Sequence, residues 1–162
     1  MTYLRDRDEF VRGAAGEKLV AAWLQEHGWH VIPSYDYAGP DGDKPPRLQG
    51  FKVGYPVPDL DVARAGVRRW VEVKTKREAV FWRKTREWRH GIELRLLEHY
   101  RTVEVITGTE CWIAVYEEST GDLLAQAIGE LGTPSVGTDR GHRMAYWPRA
   151  RFRRLHTFPS AY

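Results

Sequence analysis

The sequence predicts an α/β domain with one central mixed β-sheet flanked by helices. Segments with helical periodicity alternate with short segments of period two, in the order helix, three strands, helix, then two or three strands. With 162 residues the chain is long enough for a substantial core, so a single domain over 1–162 is predicted. A hydrophobic content of 42% and seven Trp exclude a disordered tail.

The first predicted element is a helix over residues 6–27, which has an apolar face and ends at Gly28. A strand is predicted over 29–35, and the Gly- and Pro-rich segment 38–56 is predicted to be a long loop. Two alternating stretches, "PDLDVA" and "VRRWVEVKT", predict a β-hairpin. Residues 77–91 show no clean period. The later predictions are a helix over 92–107 and strands over 111–117, 123–129 and 143–147.

Composition also indicates the compartment. The N-terminus is charged from its fifth residue, so no signal peptide is predicted, and no stretch approaches the roughly 18 apolar residues of a membrane span. The single Cys111 excludes an intramolecular disulfide and predicts a reducing cytoplasm, with Cys111 packed in a strand. A net charge of +3 permits an acidic partner without requiring one.

The predicted hairpin carries acids on strands that otherwise look buried. With a turn centred on residues 64–65, Asp59 lies opposite Trp70 and diagonal to Glu72, their Cβ atoms roughly 7–8 Å apart. Lys74 lies on the same face, one step further along the strand. Buried charges need a partner or a metal, so these side chains are candidates for a site.

Two carboxylates and an ammonium suit phosphodiester hydrolysis. Carboxylate oxygens are ligands for Mg²⁺, which lowers the pKa of a bound water and offsets negative charge on phosphate. The alternative is a surface hairpin with scattered ion pairs. Asp61 is better explained as the partner of Arg68 in such a cross-strand pair, because it lies roughly 13 Å from Glu72 along the strand.

Pro58-Asp59, followed by Glu72-Val73-Lys74, resembles the motif of the PD-(D/E)XK nuclease superfamily. This group includes restriction endonucleases, archaeal Holliday junction resolvases and phage exonucleases. The resemblance implies Mg²⁺-dependent cleavage, with Mn²⁺ able to substitute. It implies that Asp59 and Glu72 are metal ligands, that the Val73 carbonyl is a third, and that Lys74 is the base that orients the attacking water.

The resemblance covers about residues 10–118 and implies a restriction-endonuclease-like core of αβββαβ order, with a basic C-terminal extension over about 130–162. Many members carry a further catalytic and metal-binding Glu on the first helix, for which Glu17 in "GAAGEKLVAAWL" is the candidate; the alternative is a solvated Glu17 paired with Lys18 or Arg12. The stretches "KPPRLQG" and "HGIELRLLEHYRTVEVITGTECWIAVYE" resemble small bacterial and phage nucleases, which implies a bacterial or phage-encoded protein.

A basic and aromatic segment, 74–89, begins at Lys74 and is predicted to contact nucleic acid. It holds seven Lys or Arg against two Glu, interleaved with aromatic rings that can stack on bases. For its Trp residues, packing in the core or an interface is an equal alternative. The nucleic-acid contacts predicted here and on the second helix are Lys76, Arg77, Trp82, Arg83, Lys84, Arg86, Arg89 and His99.

Further candidate residues lie on the second helix, in the C-terminal segment and in the long loop. His99 is a candidate phosphate contact or a surface histidine, and Tyr100 falls on an apolar stripe and is predicted to be core. A second cluster, Arg140–Arg154, has six Arg and no acids and could hold a second DNA strand or a partner subunit. In the predicted loop, Lys44, Arg47 and Lys52 are candidates for contact with DNA, and solvated side chains are the alternative. The histidines show no zinc-ligand spacing.

The sequence therefore predicts a Mg²⁺-dependent deoxyribonuclease, an endonuclease of structure-selective or weakly sequence-specific action. DNA is the expected partner, RNA is not excluded, and a homodimer would allow both strands to be cut. The alternatives are a Holliday junction resolvase and a non-catalytic nucleic-acid-binding module that keeps the fold.

Overall fold

In the computed structural model, residues 2–33 and 47–159 are described, and they form twelve strands, two long helices and two short helical turns within those ranges. The predicted strand end at 34–35, the part of the predicted loop before residue 47, and Lys44 lie outside the described residues. The helices are α1 (Thr2–Glu26), α2 (Leu94–Thr107), α3 (Ile128–Leu131) and a 3₁₀ turn (Arg149–Arg151). The strands are β1 (His30–Pro33), β2 (Arg47–Gln49), β3 (Gly54–Pro56), β4 (Leu60–Arg64), β5 (Val67–Lys76), β6 (Val80–Trp82), β7 (Glu87–Glu93), β8 (Cys111–Glu117), β9 (Asp122–Ala127), β10 (Ser135–Asp139), β11 (His142–Pro148) and β12 (Arg153–Thr157).

The main sheet has six strands in the order β1-β4-β5-β8-β9-β12 and is mixed, as predicted. β5 and β8 are parallel, and the other pairs are antiparallel. A second sheet, β10-β11-β7-β6, and a small ribbon, β2-β3, are additions to it. Because β6 and β7 come between β5 and α2, the chain departs from a plain αβββαβ order.

The core lies on both faces of the main sheet. β8 shows why, since its apolar side chains alternate: Ile113 and Val115 belong to the cluster on the α2 side, and Ala114 belongs to the cluster on the α1 side. On the α1 side, Val20 and Leu24 pack against side chains of β4 and β5. The main sheet is therefore a middle layer between α1 and the layer that contains α2.

The structure corrects several sequence predictions. Residues 47–56 are not all loop, because β2 and β3 pair there. The segment 77–91, which shows no clean period, contains the β6-β7 hairpin, and β12 forms within the basic C-terminal segment. Gly28 ends α1 as predicted, with a φ of 83° that favours glycine. Among helices of the described ranges, none is long and apolar enough to cross a membrane.

A buried ionic cluster joins the two larger sheets. His90 on β7 donates from Nε2 to Glu117 Oε2 at the end of β8, 2.7 Å away. Arg149, just after β11, donates to both Glu117 oxygens at 3.1 and 3.2 Å and to Asp122 on β9 at 2.7 Å. Thr157 on β12 donates to the other Asp122 oxygen. We call His90, Glu117, Asp122 and Arg149 the inter-sheet cluster.

Candidate active site

The site is built on the β4-β5 hairpin, whose register differs from the predicted one by two residues. Leu60 pairs with Val71, and the two-residue turn is Ala65-Gly66, with φ angles of 49° and 80°. Positive φ at both positions is typical of a type I′ turn, which matches the twist of the flanking strands. The predicted turn one residue earlier, and the predicted pairing of Asp59 with Trp70, are therefore wrong.

The corrected register changes the expected position of Asp59 relative to Glu72. Continued by one residue beyond β4, it places Asp59 directly opposite Glu72 instead of diagonal to it. Both carboxylates are buried, with 5% and 2% of their surface exposed. Asp59 Oδ2 accepts a hydrogen bond of 2.7 Å from the Val73 backbone N–H, which fixes this carboxylate against β5.

Both Glu72 oxygens accept bonds from side chains. Lys74 Nζ lies 2.6 Å from Glu72 Oε1, and the Tyr100 hydroxyl donates to Glu72 Oε2 at 2.6 Å. Tyr100 is buried as predicted, but the prediction of a core residue missed this contact with the acid. A buried tyrosine hydroxyl needs a polar partner, and that requirement is the signal that could have identified Tyr100 from the sequence.

Burial and repulsion change the proton affinity of Asp59. Burial first, and then the negative charge of Glu72, raise the pKa of Asp59 well above its usual value. Lys74 acts in the opposite direction, and Glu17 raises the pKa further. Two buried acids that line one cleft and repel each other are the arrangement that a cation would stabilise.

Glu17 is brought to the same cleft by α1. The cleft is lined by side chains of α1, β5 and α2 together with the acids, and Glu17 is half-buried in it. The approach depends on Gly16, because a Cβ at this position would overlap the Thr75 hydroxyl on β5. The residues that line the cleft are Glu9, Phe10, Gly13, Ala14, Glu17, Pro56, Val57, Asp59, Glu72, Val73, Lys74, Thr75, Leu96 and Tyr100.

The donor set suits a hard divalent cation with few protein ligands. Within the described part of the chain, no group of three or more His, Cys, Asp or Glu side chains has the arrangement of a metal site. Asp59 and Glu72 present two carboxylates in one cleft, and Mg²⁺ is commonly held by one or two carboxylates with water and phosphate as its remaining ligands. The residues present therefore fit Mg²⁺ better than a fully protein-bound zinc ion.

Asp61 lies away from this group, as predicted. Arg68 donates to its two oxygens at 2.8 and 2.7 Å, which confirms the cross-strand ion pair. Cys111 is fully buried, and burial raises the pKa of its thiol, so its predicted role in packing is confirmed.

The residues predicted to contact nucleic acid are dispersed. Lys76 is half-buried at the end of β5, and Arg77 is exposed beside it. The turn between β6 and β7 carries three exposed cations: Arg83, Lys84 and Arg86. His99 is half-buried, with its ring 6.1 Å from that of Tyr55.

The position of Arg89 differs from the predicted exposed contact with nucleic acid. It is buried, and its guanidinium donates to Ser135 and Glu87 at 2.6 and 2.8 Å, so it is not an exposed contact for nucleic acid. Trp82 packs between the Arg89 guanidinium and the Tyr146 ring, at 4.7 and 5.4 Å, which supports the packing alternative for this residue. Arg149 is engaged in the inter-sheet cluster, so Arg140–Arg154 does not form one basic surface.

Comparison with known proteins gives a likeness in structure alone. No family model matches the chain, and no curated protein matches it in sequence. Hjc, a Holliday junction resolvase from the archaeal hyperthermophile Archaeoglobus fulgidus, superposes with a TM-score of 0.55 and 13% identity, over 88% of this chain and 91% of that chain. A nuclease from a fusselovirus gives a TM-score of 0.49 and 13% identity, over 88% and 87%. The chain therefore has a mixed α/β fold shared with the archaeal resolvase Hjc.

Proposed function

We propose that the protein is a Mg²⁺-dependent deoxyribonuclease that hydrolyses phosphodiester bonds of DNA. The observation that carries this proposal is that Asp59 and Glu72 are both buried and line one cleft together with Lys74. A protein that only bound nucleic acid would gain nothing from two acids facing a polyanion. We expect structure-selective or weakly sequence-specific cutting.

In this proposal Asp59, Glu72 and the Val73 carbonyl hold the metal, and Glu17 completes the site. The bound ion lowers the pKa of a water molecule and offsets charge on the scissile phosphate. Asp59 is held in place by the Val73 N–H, so little rearrangement is needed before it can act.

Lys74 and Tyr100 prepare Glu72 for its role. Tyr100 fixes one carboxylate oxygen of Glu72, and Lys74 places its ammonium beside the other, at the edge where a phosphate would enter. From there Lys74 orients the attacking water and adds positive charge near the developing negative charge. The exposed cations Arg77, Arg83, Lys84 and Arg86, with Lys76 and His99, contribute contacts to the sugar–phosphate backbone.

The test uses purified protein with Mg²⁺ or Mn²⁺ and labelled duplex, single-stranded and branched DNA. We expect cleavage by the wild type and its loss in Lys74→Ala, while the matched variant Lys18→Ala, changed at an exposed position of α1, retains activity. If the wild type and Lys74→Ala degrade all three substrates equally poorly, the proposal is wrong. Labelled RNA in the same assay decides between DNA and RNA.

A Holliday junction resolvase is the second candidate, favoured by the fold shared with Hjc. Such an enzyme acts as a dimer that presents two sites to a four-way junction, so this candidate requires a homodimer. Preferential cleavage of a synthetic four-way junction over linear duplex, by a protein that sediments as a dimer, would decide in its favour.

A further inference from the structure

A second cationic hollow adjoins the candidate active site. Lys74 lines both the catalytic cleft and this hollow, so the two are continuous. Lys76 lies two residues further along β5 and therefore on the same face of the strand. The turn between β10 and β11 brings Arg140 and His142 to the same hollow. Two basic segments that are 64 residues apart in sequence (140 minus 76) thus meet beside the site.

Lys76 is a cation with no bonded partner among the described residues. In the ranges 2–33 and 47–159 its ammonium makes no hydrogen bond or ion pair, although the side chain is half-buried. Burial, and then the nearby charge of Lys74, lower the pKa of Lys76, while Asp139 and Glu9 oppose that shift. An anion bound here would restore the interactions that the ammonium loses on leaving water.

Arg140 is held by a contact that can be exchanged. Its guanidinium donates to the two carboxylate oxygens of Glu9 on α1, at 2.7 and 3.1 Å. Both side chains are largely exposed, at 63% and 43%, and an ion pair of this kind contributes little to stability. A phosphate can therefore replace Glu9 as the partner of Arg140 at small cost.

The charges of the hollow favour an anion. Besides the three cationic side chains Lys74, Lys76 and Arg140, it is lined by His142 and by two acids, Glu93 and Asp139. Over the Lys, Arg, Asp and Glu residues that line the hollow, the sum is one net positive charge. Lys74 and Lys76 are spaced by about 6.8 Å along the strand. That spacing is similar to the separation of successive phosphates on one nucleic-acid strand.

We propose that Lys76, Arg140 and His142 form a second phosphate-binding site, which holds the phosphodiester next to the scissile one. The proposal rests on the proposed function in so far as Lys74 marks the scissile position. It adds that the β10-β11 turn is part of the substrate channel and that Arg140 leaves Glu9 when substrate binds.

The first experiment measures binding without metal, so it does not depend on cleavage. A fluorescent duplex is titrated with protein in EDTA at several NaCl concentrations, and the slope of log K against log salt reports the number of phosphate contacts. We expect Lys76→Gln and Arg140→Gln each to weaken binding and to reduce the magnitude of the slope by about 1. Lys18→Gln, the same change at an exposed position of α1, should leave the slope unchanged.

The second experiment tests the exchange of partners. Glu9→Gln should strengthen binding, because it removes the carboxylate that competes with phosphate for Arg140, and this gain should disappear in the double variant Glu9→Gln/Arg140→Gln. Asp8→Asn removes an acid one residue away and serves as the matched control for a general charge effect. A gain that is equal in Asp8→Asn, or that persists in the double variant, would contradict the exchange.

The results separate this proposal from the proposed function. If Lys76→Gln and Arg140→Gln keep the wild-type slope while the wild type cleaves DNA, the second phosphate site is wrong and the nuclease stands. If the slopes fall but the wild type does not cleave with Mg²⁺ or Mn²⁺, the phosphate site stands and the nuclease is wrong. Equal melting temperatures for all variants establish that each is folded.

Discussion

Asp59 occupies an environment that is unfavourable for an ionised acid. Because burial and Glu72 raise its pKa, Asp59 destabilises the folded, metal-free protein as pH rises through that raised pKa. We predict that Asp59→Asn abolishes cleavage but stabilises the metal-free protein at pH 7, by on the order of 1 kcal/mol. The amide oxygen of Asn can still accept the bond from Val73. Thermal unfolding in EDTA measures the change.

The matched control for this prediction is Asp61→Asn. Asp61 forms a bidentate ion pair with Arg68, so its loss should leave stability unchanged or reduce it. The gain from Asp59→Asn should vanish below about pH 4, where an ordinary aspartate is protonated in the unfolded chain as well. A lower melting temperature for Asp59→Asn at pH 7 would contradict the repulsion argued here.

Tyr100→Phe removes one hydroxyl group and leaves the ring in the core. Since that hydroxyl fixes Glu72, we expect a loss of about 10–100-fold in metal affinity or in cleavage rate. Titration with Mn²⁺ followed by calorimetry, together with cleavage rates, measures both quantities. Tyr116→Phe, at a partly buried tyrosine on β8 that packs against Phe158, is the control that should retain activity. Equal metal affinity and rate in both variants would exclude a role for the Tyr100 hydroxyl.

For single residues, the sequence predicts which charged side chains lie together in the candidate site, but it does not predict the side chains that contact them. Asp59, Glu72 and Lys74 can be placed together because alternation fixes which side chains share a strand face. The contact between Tyr100 and Glu72 depends on where α2 crosses the sheet, which no local pattern contains. The basic residues around Arg89 in the sequence predict that it is exposed. It is buried because its guanidinium finds a hydrogen-bond partner in Ser135, 46 residues later in the chain.

At the scale of elements, α1 carries a matched pair of glycines. A Cβ at Gly16 would overlap Thr75, whereas a Cβ at Gly13 has no atom within 4 Å. We predict that Gly16→Ala destabilises the protein by about 1–3 kcal/mol through overpacking. Gly13→Ala should instead stabilise it, by up to about 1 kcal/mol, because alanine has the higher helix propensity.

Urea denaturation of both variants measures the change in the free energy of unfolding, which should have opposite signs for Gly16→Ala and Gly13→Ala. Gly16→Ala should also reduce cleavage, since displacement of α1 moves Glu17 away from Asp59, and a variant that is destabilised but fully active would argue against a role for Glu17. If the two substitutions change the free energy of unfolding equally, the close approach of α1 to β5 is not as described.

Helices and strands with a clear hydrophobic periodicity can be predicted from the sequence, whereas strands that depend on pairing with a partner strand cannot. α1, α2 and the strands β4, β5 and β8 follow from their hydrophobic patterns. The predicted hairpin register was wrong by two residues, because it placed Arg64 and Ala65 in the turn, whereas the two turn positions with positive φ are Ala65 and Gly66. β6 and β12 are short and rich in exposed side chains, so their existence depends on the partner strands β7 and β9.

For the whole molecule, the inter-sheet cluster predicts a dependence on pH. Burial lowers the pKa of His90 despite its bond to Glu117, and the charges of Arg149 and Lys76 act in the same direction as burial. The unfolded chain therefore binds a proton at His90 more readily than the folded protein. Stability should fall as pH drops below about 6.5, the usual value for histidine.

We predict that His90→Gln flattens the dependence of stability on pH between about 6.5 and 5. The pKa values of Glu117 and Asp122 are lowered by their hydrogen bonds, so both carboxylates stay ionised over this range and contribute only at lower pH. Denaturant midpoints at several pH values check the prediction. An unchanged slope in His90→Gln would assign the pH dependence to other groups.

Substitution of Arg149 tests how much the inter-sheet cluster contributes to stability. Arg149→Ala leaves Glu117 buried with one partner fewer, and we expect a loss of about 3 kcal/mol of stability. Arg154→Ala, on the exposed strand β12, is the matched control and should change stability little. Similar unfolding midpoints for the two variants would show that the two sheets are held together by apolar packing alone.

The position of β5 inside the main sheet divides the protein into a rigid and an adaptable part. β5 is hydrogen-bonded to β4 on one side and to β8 on the other, so the backbone that presents Glu72 and Lys74 has little freedom to move. Arg140 and His142 lie instead at the turn between β10 and β11, and Glu9 belongs to the N-terminal half of α1. If the proposed function holds, nucleic acids of different shape would meet the same chemistry on β5, and discrimination among them would depend on Glu9, Arg140 and His142.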